Sequence, residues 1–350
     1  MNDELLGTGK EPMKIVSVER QEILASIESL VDEKHNGLNP VEKSWQPADF
    51  VPDLACESGR AGLMALQKAA KNLPDEVLVV LVGSTVTEEA LPSYQSCLTR
   101  TTCIGDETGV SQNGWARWSR SWTAEENRHG DLLNRYLYLT GRVNMRSVEK
   151  TIQHLVRNGF DPGHENDPYN LLIYTSFQEQ ATRISHANVG QLAKHSGVIE
   201  LTRICNAIAA DEARHEDAYK SFMRRIFNLD PAGAILALDE MLAKKIKMPA
   251  ALMSDGSAVD VFSCFAGVAQ ELGVYTFTHY LSIIRQLIKI WDIERLKGLT
   301  GSAANAQDRI CKLPDIYERR VEWMATKPKR RTLPPFPWIH SGIEQSHAIA

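Results

Sequence analysis

One short pattern occurs twice in this 350-residue chain and restricts its fold more than any other feature: Glu126-Asn127-Arg128-His129 in TAEENRHGD, and Glu212-Ala213-Arg214-His215 in AADEARHED. Both are Glu-x-Arg-His within stretches whose apolar residues recur every three or four positions, the period of a helix with a buried face. Positions i and i+3 of a helix lie about 60° apart around its axis, so each Glu and His project toward one point. Each tetrad also follows a further helical carboxylate: Glu88 stands 38 residues before Glu126, and Glu179 stands 33 before Glu212. A helix, a short connection and an antiparallel helix need a separation of that size. The chain thus offers two halves, each a Glu followed by Glu-x-x-His.

One Glu from each of two helices plus Glu-x-x-His from each of two others is the ligand set of a carboxylate-bridged di-iron or di-manganese site in a four-helix bundle. Four carboxylates neutralise two divalent cations, and imidazoles complete an oxygen/nitrogen shell that suits iron or manganese. A single Glu-x-x-His is commonplace as a solvated Glu or a salt-bridged His; two in register with upstream partners are far harder to reach by accident. Spacing leaves choices open, because Glu125 shares the face of His129 at i,i+4 and Glu89 adjoins Glu88. Only the i+3 carboxylate is Glu in both halves. For Glu88 over Glu89, and for Glu179, spacing is permissive. His35, His154, His164, His186, His195, His279, His340 and His347 lack partners at ligand spacing and read as surface or satisfied residues. GTGK at 7–10 lacks the full phosphate-loop pattern.

The periodicity predicts an all-α chain, with helices over 75–104, 112–140, 145–159, 167–195 and 197–228, an amphipathic stretch over 19–32, and further helices from 230 to 310. Pro92 should kink the first of these. WQPADFVPDL reads as an irregular lead-in, and RRTLPPFPWIHSG as an extended tail. No composition shift marks a linker, so one elaborated helical domain over 1–350 is expected, with an N-terminal arm over 1–40 and a tail over 330–350. With 43% hydrophobic and 24% charged residues and a formal charge of -5, the chain is ordinary for a soluble globular protein and too acidic for a general nucleic-acid binder. The longest apolar run, Val77 to Val82, is far short of the ~20 residues a membrane helix needs. Cys56, Cys97, Cys103, Cys205, Cys264 and Cys311 have no metal-finger spacing and are expected as reduced, mostly buried thiols. The polar N-terminus argues against a secretory signal and an intact transit peptide, as in a mature or trimmed form.

WQPADF, LVGSTVTEEALPSYQ, DETG, WTAEENRHGDLLNRYLYLTGRV, YTSFQEQAT, IAADEARHE and LGVYTFTHY resemble the plant acyl-acyl carrier protein desaturases, the soluble stearoyl-desaturase family, over nearly the whole chain. The resemblance implies a ferritin-like four-helix bundle core elaborated with additional helices. It assigns Glu88, Glu126 and His129 to one iron and Glu179, Glu212 and His215 to the other, with Glu126 and Glu212 bridging. It also implies that Asp211 and Trp45 lie near His129 and that Thr182 lies beside the oxygen site. Thr182 is a helical turn beyond Glu179 and can share its face; the bland alternatives are a core-filling Trp45 and a backward-bonding Thr182 hydroxyl. The implied reaction desaturates an acyl chain carried on acyl carrier protein, using dioxygen, two irons and reduced ferredoxin, in a homodimer of the plastid stroma. No side chain can oxidise an unactivated C–H bond, so the metal centre must.

Acyl carrier protein is acidic, so its docking patch should be basic, and Lys244, Lys245 and Lys247 are candidates. Leu171 replaces the Gly of many stearoyl-specific members, and Cys97, Arg100 and Thr101 also depart from them. Leu171 lies roughly 12 Å along a helix from Glu179, so these four residues are expected to reshape the acyl channel. An altered chain length or double-bond position follows, with palmitoyl as well as stearoyl a plausible substrate. The competing readings are a ferritin-like ferroxidase, a radical-generating reductase subunit, and a helical interaction protein without metal.

Overall fold

The computed structural model describes residues 16–101, 104–257, 259–325 and 336–339. Among them thirteen α-helices follow in chain order: α1 (Val18–Ser26), α2 (Glu28–Asn36), α3 (Glu57–Ala70), α4 (Asp75–Glu89), α5 (Leu91–Thr99), α6 (Gly114–Thr140), α7 (Met145–Asn158), α8 (Pro168–His195), α9 (Ile199–Leu229), α10 (Pro231–Lys244), α11 (Val261–Glu271), α12 (Phe277–Ile290) and α13 (Gly301–Ala325). No strand occurs among the described residues beyond one isolated bridge between Val143 and Ile339. The ends are encoded locally. Asn113 caps α6 by accepting from the Ala116 amide at 2.8 Å, and Gly141 closes it in the left-handed region at φ 64°. Asp167 caps α8, with Pro168 in the first position, where a missing N–H costs nothing.

The fold is all-α, with a ferritin-like four-helix core and further helices around it. The core is a closed ring in which α4 packs on α6, α6 on α9, α9 on α8 and α8 on α4. Two apolar clusters divide its length. One gathers Trp115, Trp118 and Trp122 of α6, Phe177 of α8 and Phe222 of α9; the other gathers Val77 to Val82 of α4, Leu132 to Leu137 of α6, Val189 of α8 and Ile204 to Ile208 of α9. Every predicted metal-ligating position falls between these halves, so a polar layer is sandwiched by two apolar ones. At one crossing the helices nearly touch: a Cβ on Gly130 of α6 would lie 3.2 Å from the backbone of Glu88 and Glu89 in α4.

Several boundaries differ from expectation. The stretch 19–32 divides at Ile27 into α1 and α2, and α2 packs on α6 and α9; the second half of the supposed arm is therefore folded onto the bundle. The helix expected over 75–104 is not kinked but broken at Ala90 and ends at Thr99. Pro92 has no N–H for the Glu88 carbonyl, and its ring would clash there; the Tyr94 hydroxyl instead donates to the nearby Thr87 carbonyl at 2.9 Å. α3 carries no apolar stripe visible in the sequence, because its buried face is only Gly59, Leu66 and Ala70. Of the tail, Phe336 to Ile339 are described: the Asn144 amide donates to the Trp338 carbonyl at 2.7 Å, and the buried Trp338 indole donates to Thr151. The rest of the tail, the arm before residue 16 with its GTGK, Cys103, His340 and His347 lie outside the described residues. Of the other cysteines, all are free; Cys97 and Cys205 are buried, Cys264 and Cys311 half-buried, and Cys56 is exposed, fewer buried than expected. Among the described residues no helix is long and apolar enough to cross a membrane.

Candidate metal centre and its cavity

The four core helices bring the six predicted ligands together. Glu88 comes from α4, Glu126 and His129 from α6, Glu179 from α8, and Glu212 and His215 from α9. All six are buried. Two groups form in which one donor atom per residue lies within 4.8 Å of the others: Glu88, Glu126, His129 and Glu212, and Glu126, Glu179, Glu212 and His215. Glu126 and Glu212 belong to both, the position of bridging carboxylates. Glu126 reaches His215 Nδ1 at 2.7 Å and His129 Nδ1 at 3.2 Å, while Glu212 Oε1 is 3.3 Å from His129 Nδ1. Glu179 Oε2 lies 3.5 Å from His215 Nδ1, and Glu88 Oε2 lies 3.9 Å from His129 Nδ1.

These donors fit a pair of cations. His129 Nδ1, His215 Nδ1 and Glu126 Oε1 are buried without a hydrogen-bond partner, although carboxylate oxygens stand close to each ring nitrogen. Proximity without hydrogen-bond geometry is what donors aimed at a shared ion display: ligand atoms ~2.1 Å from one metal sit about 3 Å from their neighbours. Each imidazole turns its other nitrogen outward to a carboxylate, His129 Nε2 to Asp211 at 3.3 Å and His215 Nε2 to Glu125 at 2.9 Å. That arrangement fixes the ring orientation of a metal-ligating histidine.

The electrostatics tell the same story. Burial pushes the Glu179 carboxyl well above the usual range and Glu88 above it too. Burial acts likewise on Glu126, but His129 and His215 outweigh it and hold that carboxyl low. Burial alone would push both imidazoles down; the surrounding carboxylates, foremost Glu126 at His129 and Glu125 at His215, hold them well above the ordinary histidine range. Without cations, protons do the neutralising.

Comparison with known proteins gives this site a lineage. The family model described as fatty acid desaturase matches residues 19–340. The chain belongs to that family. It is 50% identical to the chloroplastic stearoyl-[acyl-carrier-protein] 9-desaturase of Olea europaea over 92% of this chain and 83% of that one. It is 49% identical to the acyl-[acyl-carrier-protein] 6-desaturase of Thunbergia alata over 86% of this chain and 78% of that one. Among solved structures it is similar in fold to DesA2 of Mycobacterium tuberculosis, with a TM-score of 0.50 and 17% identity over 79% of this chain and 97% of that one. Desaturases named for different double-bond positions thus stand at nearly equal distance, so family membership leaves regiochemistry open.

Within this desaturase the second tier of residues forms a crossed pattern. Asp211 and Glu125, each one position before a Glu shared by both groups, support the histidine of the opposite half. Arg128 and Arg214 run between them: Arg128 Nη2 is 3.2 Å from Asp211 and 3.6 Å from Glu125, and Arg214 Nη2 is 2.5 Å from Asp211 and 3.3 Å from Glu125. Trp45 stacks near His129 with centroids 6.0 Å apart, lies under the Arg128 guanidinium, and gives its carbonyl to Arg128 at 2.8 Å. Glu125, which spacing left as an alternative ligand, therefore faces the outer nitrogen of His215. The sequence signal was present in the acidic residue preceding each Glu-x-Arg-His. Glu89 points elsewhere, accepting from Asn134 at 3.1 Å.

Two further residues escaped sequence reasoning. His186 is buried and sits 2.8 Å from Glu88 Oε1, and the Trp122 indole donates to Glu179 Oε1 at 3.1 Å. Each of these two carboxylates is thereby held from behind, by a different group in each half. His186 lies seven residues beyond Glu179 on one helix, but nothing in a linear spacing indicates that it faces α4.

An apolar cavity opens onto the cluster. One arm is walled by Tyr94, Cys97, Leu98, Phe160, Leu171 and Tyr174 and ends at Glu88, Glu126, Glu179 and Glu212. A second arm, walled by Phe265, Ala269 and Val274, meets it at Thr87, Glu88 and Thr182. The Thr182 hydroxyl is 3.1 Å from two backbone carbonyls of its own helix and donates to Glu212 Oε2 at 2.7 Å. Of the four predicted channel residues, Cys97 and Leu171 line the wall. Thr101 is buried behind it, 3.5 Å from His164. Arg100 is exposed and caps the end of α5, donating to the Ser96 carbonyl at 3.0 Å; a cation gains more at a helix C-terminus than in an apolar channel.

Proposed function

We propose that this chain is an acyl-[acyl-carrier-protein] desaturase that places a cis double bond in a palmitoyl or stearoyl chain at a non-haem di-iron centre, with dioxygen and reduced ferredoxin. The observation that carries the reading is the apolar cavity ending on six buried ligand side chains. Glu88, Glu126 and His129 would hold one iron and Glu179, Glu212 and His215 the other. Irons held there would supply the activation of dioxygen that two unactivated C–H bonds require; the balance is two hydrogens with their two electrons from the acyl chain, two electrons from ferredoxin and two protons from solvent, with dioxygen leaving as two waters. The protein's own residues do the rest. Apolar walls exclude water and hold adjacent methylenes in one register before the carboxylates, so binding geometry selects the bond. Thr182 keeps a hydroxyl proton at Glu212 Oε2, at the meeting of the two cavity arms. Trp45, Arg128 and Asp211 form a contact chain outward from His129 and are positioning residues.

Leu171 and Cys97 line one arm, and the bulk of Leu171 there supports the shorter, palmitoyl substrate. A plastid stromal location and a homodimer accompany the proposal, the first supported by relatives named chloroplastic. The test is turnover of iron-loaded protein with ferredoxin, dioxygen and palmitoyl- or stearoyl-acyl carrier protein, with products located by mass spectrometry. A double bond in either chain is expected. Oxidation of ferrous iron without acyl product would favour the ferroxidase reading.

A further inference from the structure

The predicted docking lysines do not behave alike. Lys244 is engaged with Glu165, Glu240 and the Gly163 carbonyl, so its charge is neutralised at home. Lys245 and Lys247 are exposed and make no ion pair among the described residues. The Lys247 carbonyl accepts from Tyr174 at 3.0 Å and from Gln178 at 2.9 Å, both cavity-wall residues, and the next residues, Met248 and Pro249, line the two cavity arms. This short segment is half-buried and joins the cavity wall to the exposed Lys247.

From there the chain runs to α7. The Leu252 carbonyl accepts from Asn158 at the end of α7 at 3.0 Å. Helix α7 buries Val148, Thr151, Ile152 and Leu155 and turns Arg146, Lys150 and Arg157 to solvent. These three cations enter no ion pair among the described residues, and Glu149 is the helix's single acid. The stripe spans ~16 Å from Arg146 to Arg157. Beside its C-terminal end stands one large apolar side chain, Leu252, 51% exposed. A basic stripe ending at an exposed leucine, in a chain of net charge -5, has the composition of a docking surface for an acidic partner.

We propose that the outer face of α7, continued by Lys245, Lys247 and Leu252, docks an acidic acyl carrier protein and directs its acyl chain into the cavity beside Met248. The inference rests on the desaturase reading, whose substrate arrives on such a carrier. Attraction across this face would steer encounter and fade with salt.

The test is the affinity of iron-loaded protein for fluorescently labelled palmitoyl-acyl carrier protein, measured by anisotropy without reductant. Arg146→Glu/Lys150→Glu/Arg157→Glu should bind about tenfold or more weakly at low salt and lose most of the salt dependence. Arg146→Lys/Arg157→Lys should bind like the parent, and Arg295→Glu/Lys297→Glu, on another surface, should change nothing. Unchanged binding by the folded triple variant would overturn the docking surface whatever the turnover. Carrier binding lost in that variant, from a parent that forms no double bond, would support the surface and sink the desaturase reading instead.

Discussion

His129 and His215 each face two roles that exclude one another. In the metal-free site the carboxylates hold both imidazoles well above the ordinary histidine range, and burial raises the Glu179 carboxyl, so all three groups are shifted toward their protonated forms. Metal binding needs neutral imidazole and ionised carboxylate. Loading must therefore expel protons, and apparent affinity should fall as pH falls. Calorimetry in buffers of different ionisation enthalpy should register net proton release; binding independent of buffer would contradict it. Asp211→Asn and Glu125→Gln remove the charges behind the two histidines and should each weaken metal retention about 10–100-fold against a competing chelator. The Glu-x-Arg-His repeat made Glu126, His129, Glu212 and His215 legible as a cluster because helical spacing alone aligns i with i+3, while for Glu88 and Glu179 spacing was only permissive. It could not reveal His186 and Trp122, whose contacts with Glu88 and Glu179 depend on how separate helices cross.

At the scale of elements, the bundle helices were readable where an apolar stripe was long and uninterrupted, as in α6, α8 and α9. α3 was not, because Gly and Ala give little contrast, and the break at Ala90 was underestimated because Pro92 acts on the carbonyl of a residue four positions back. Close packing beside the site gives a further expectation. A methyl on Gly83 of α4 would collide with the Phe265 ring of α11, so Gly83→Ala should cost roughly 1–3 kcal/mol, read as a lowered Tm. In α8, Leu171 is 1% exposed and lines the cavity. Leu171→Gly should lengthen that arm at a cost of ~2–5 kcal/mol and shift competition between palmitoyl- and stearoyl-acyl carrier protein toward stearoyl. An unchanged ratio would remove Leu171 from the determinants of chain length. Arg100 shows the limit of sequence comparison: it neighbours the wall in the chain, yet its side chain turns outward to cap α5.

For the molecule as a whole, a polar layer of four carboxylates and two histidines sits between two apolar halves, and a ligand that binds only the folded state should stabilise it. The sign with pH follows from the site. Elevated folded-state values for His129, His215 and Glu179 mean that the metal-free fold binds protons its unfolded chain does not. That stabilisation is present in full below the unfolded values and is lost as pH rises through the folded ones. The gain in Tm on metal loading should thus widen from about pH 6 to about pH 8. The central claim is met most directly by anaerobic titration of the apo-protein with ferrous iron. Two tightly held irons per chain are expected, with loss of paired binding in Glu126→Ala and Glu212→Ala; fewer than two in the parent, or undiminished binding in both variants, would contradict a shared, carboxylate-bridged centre.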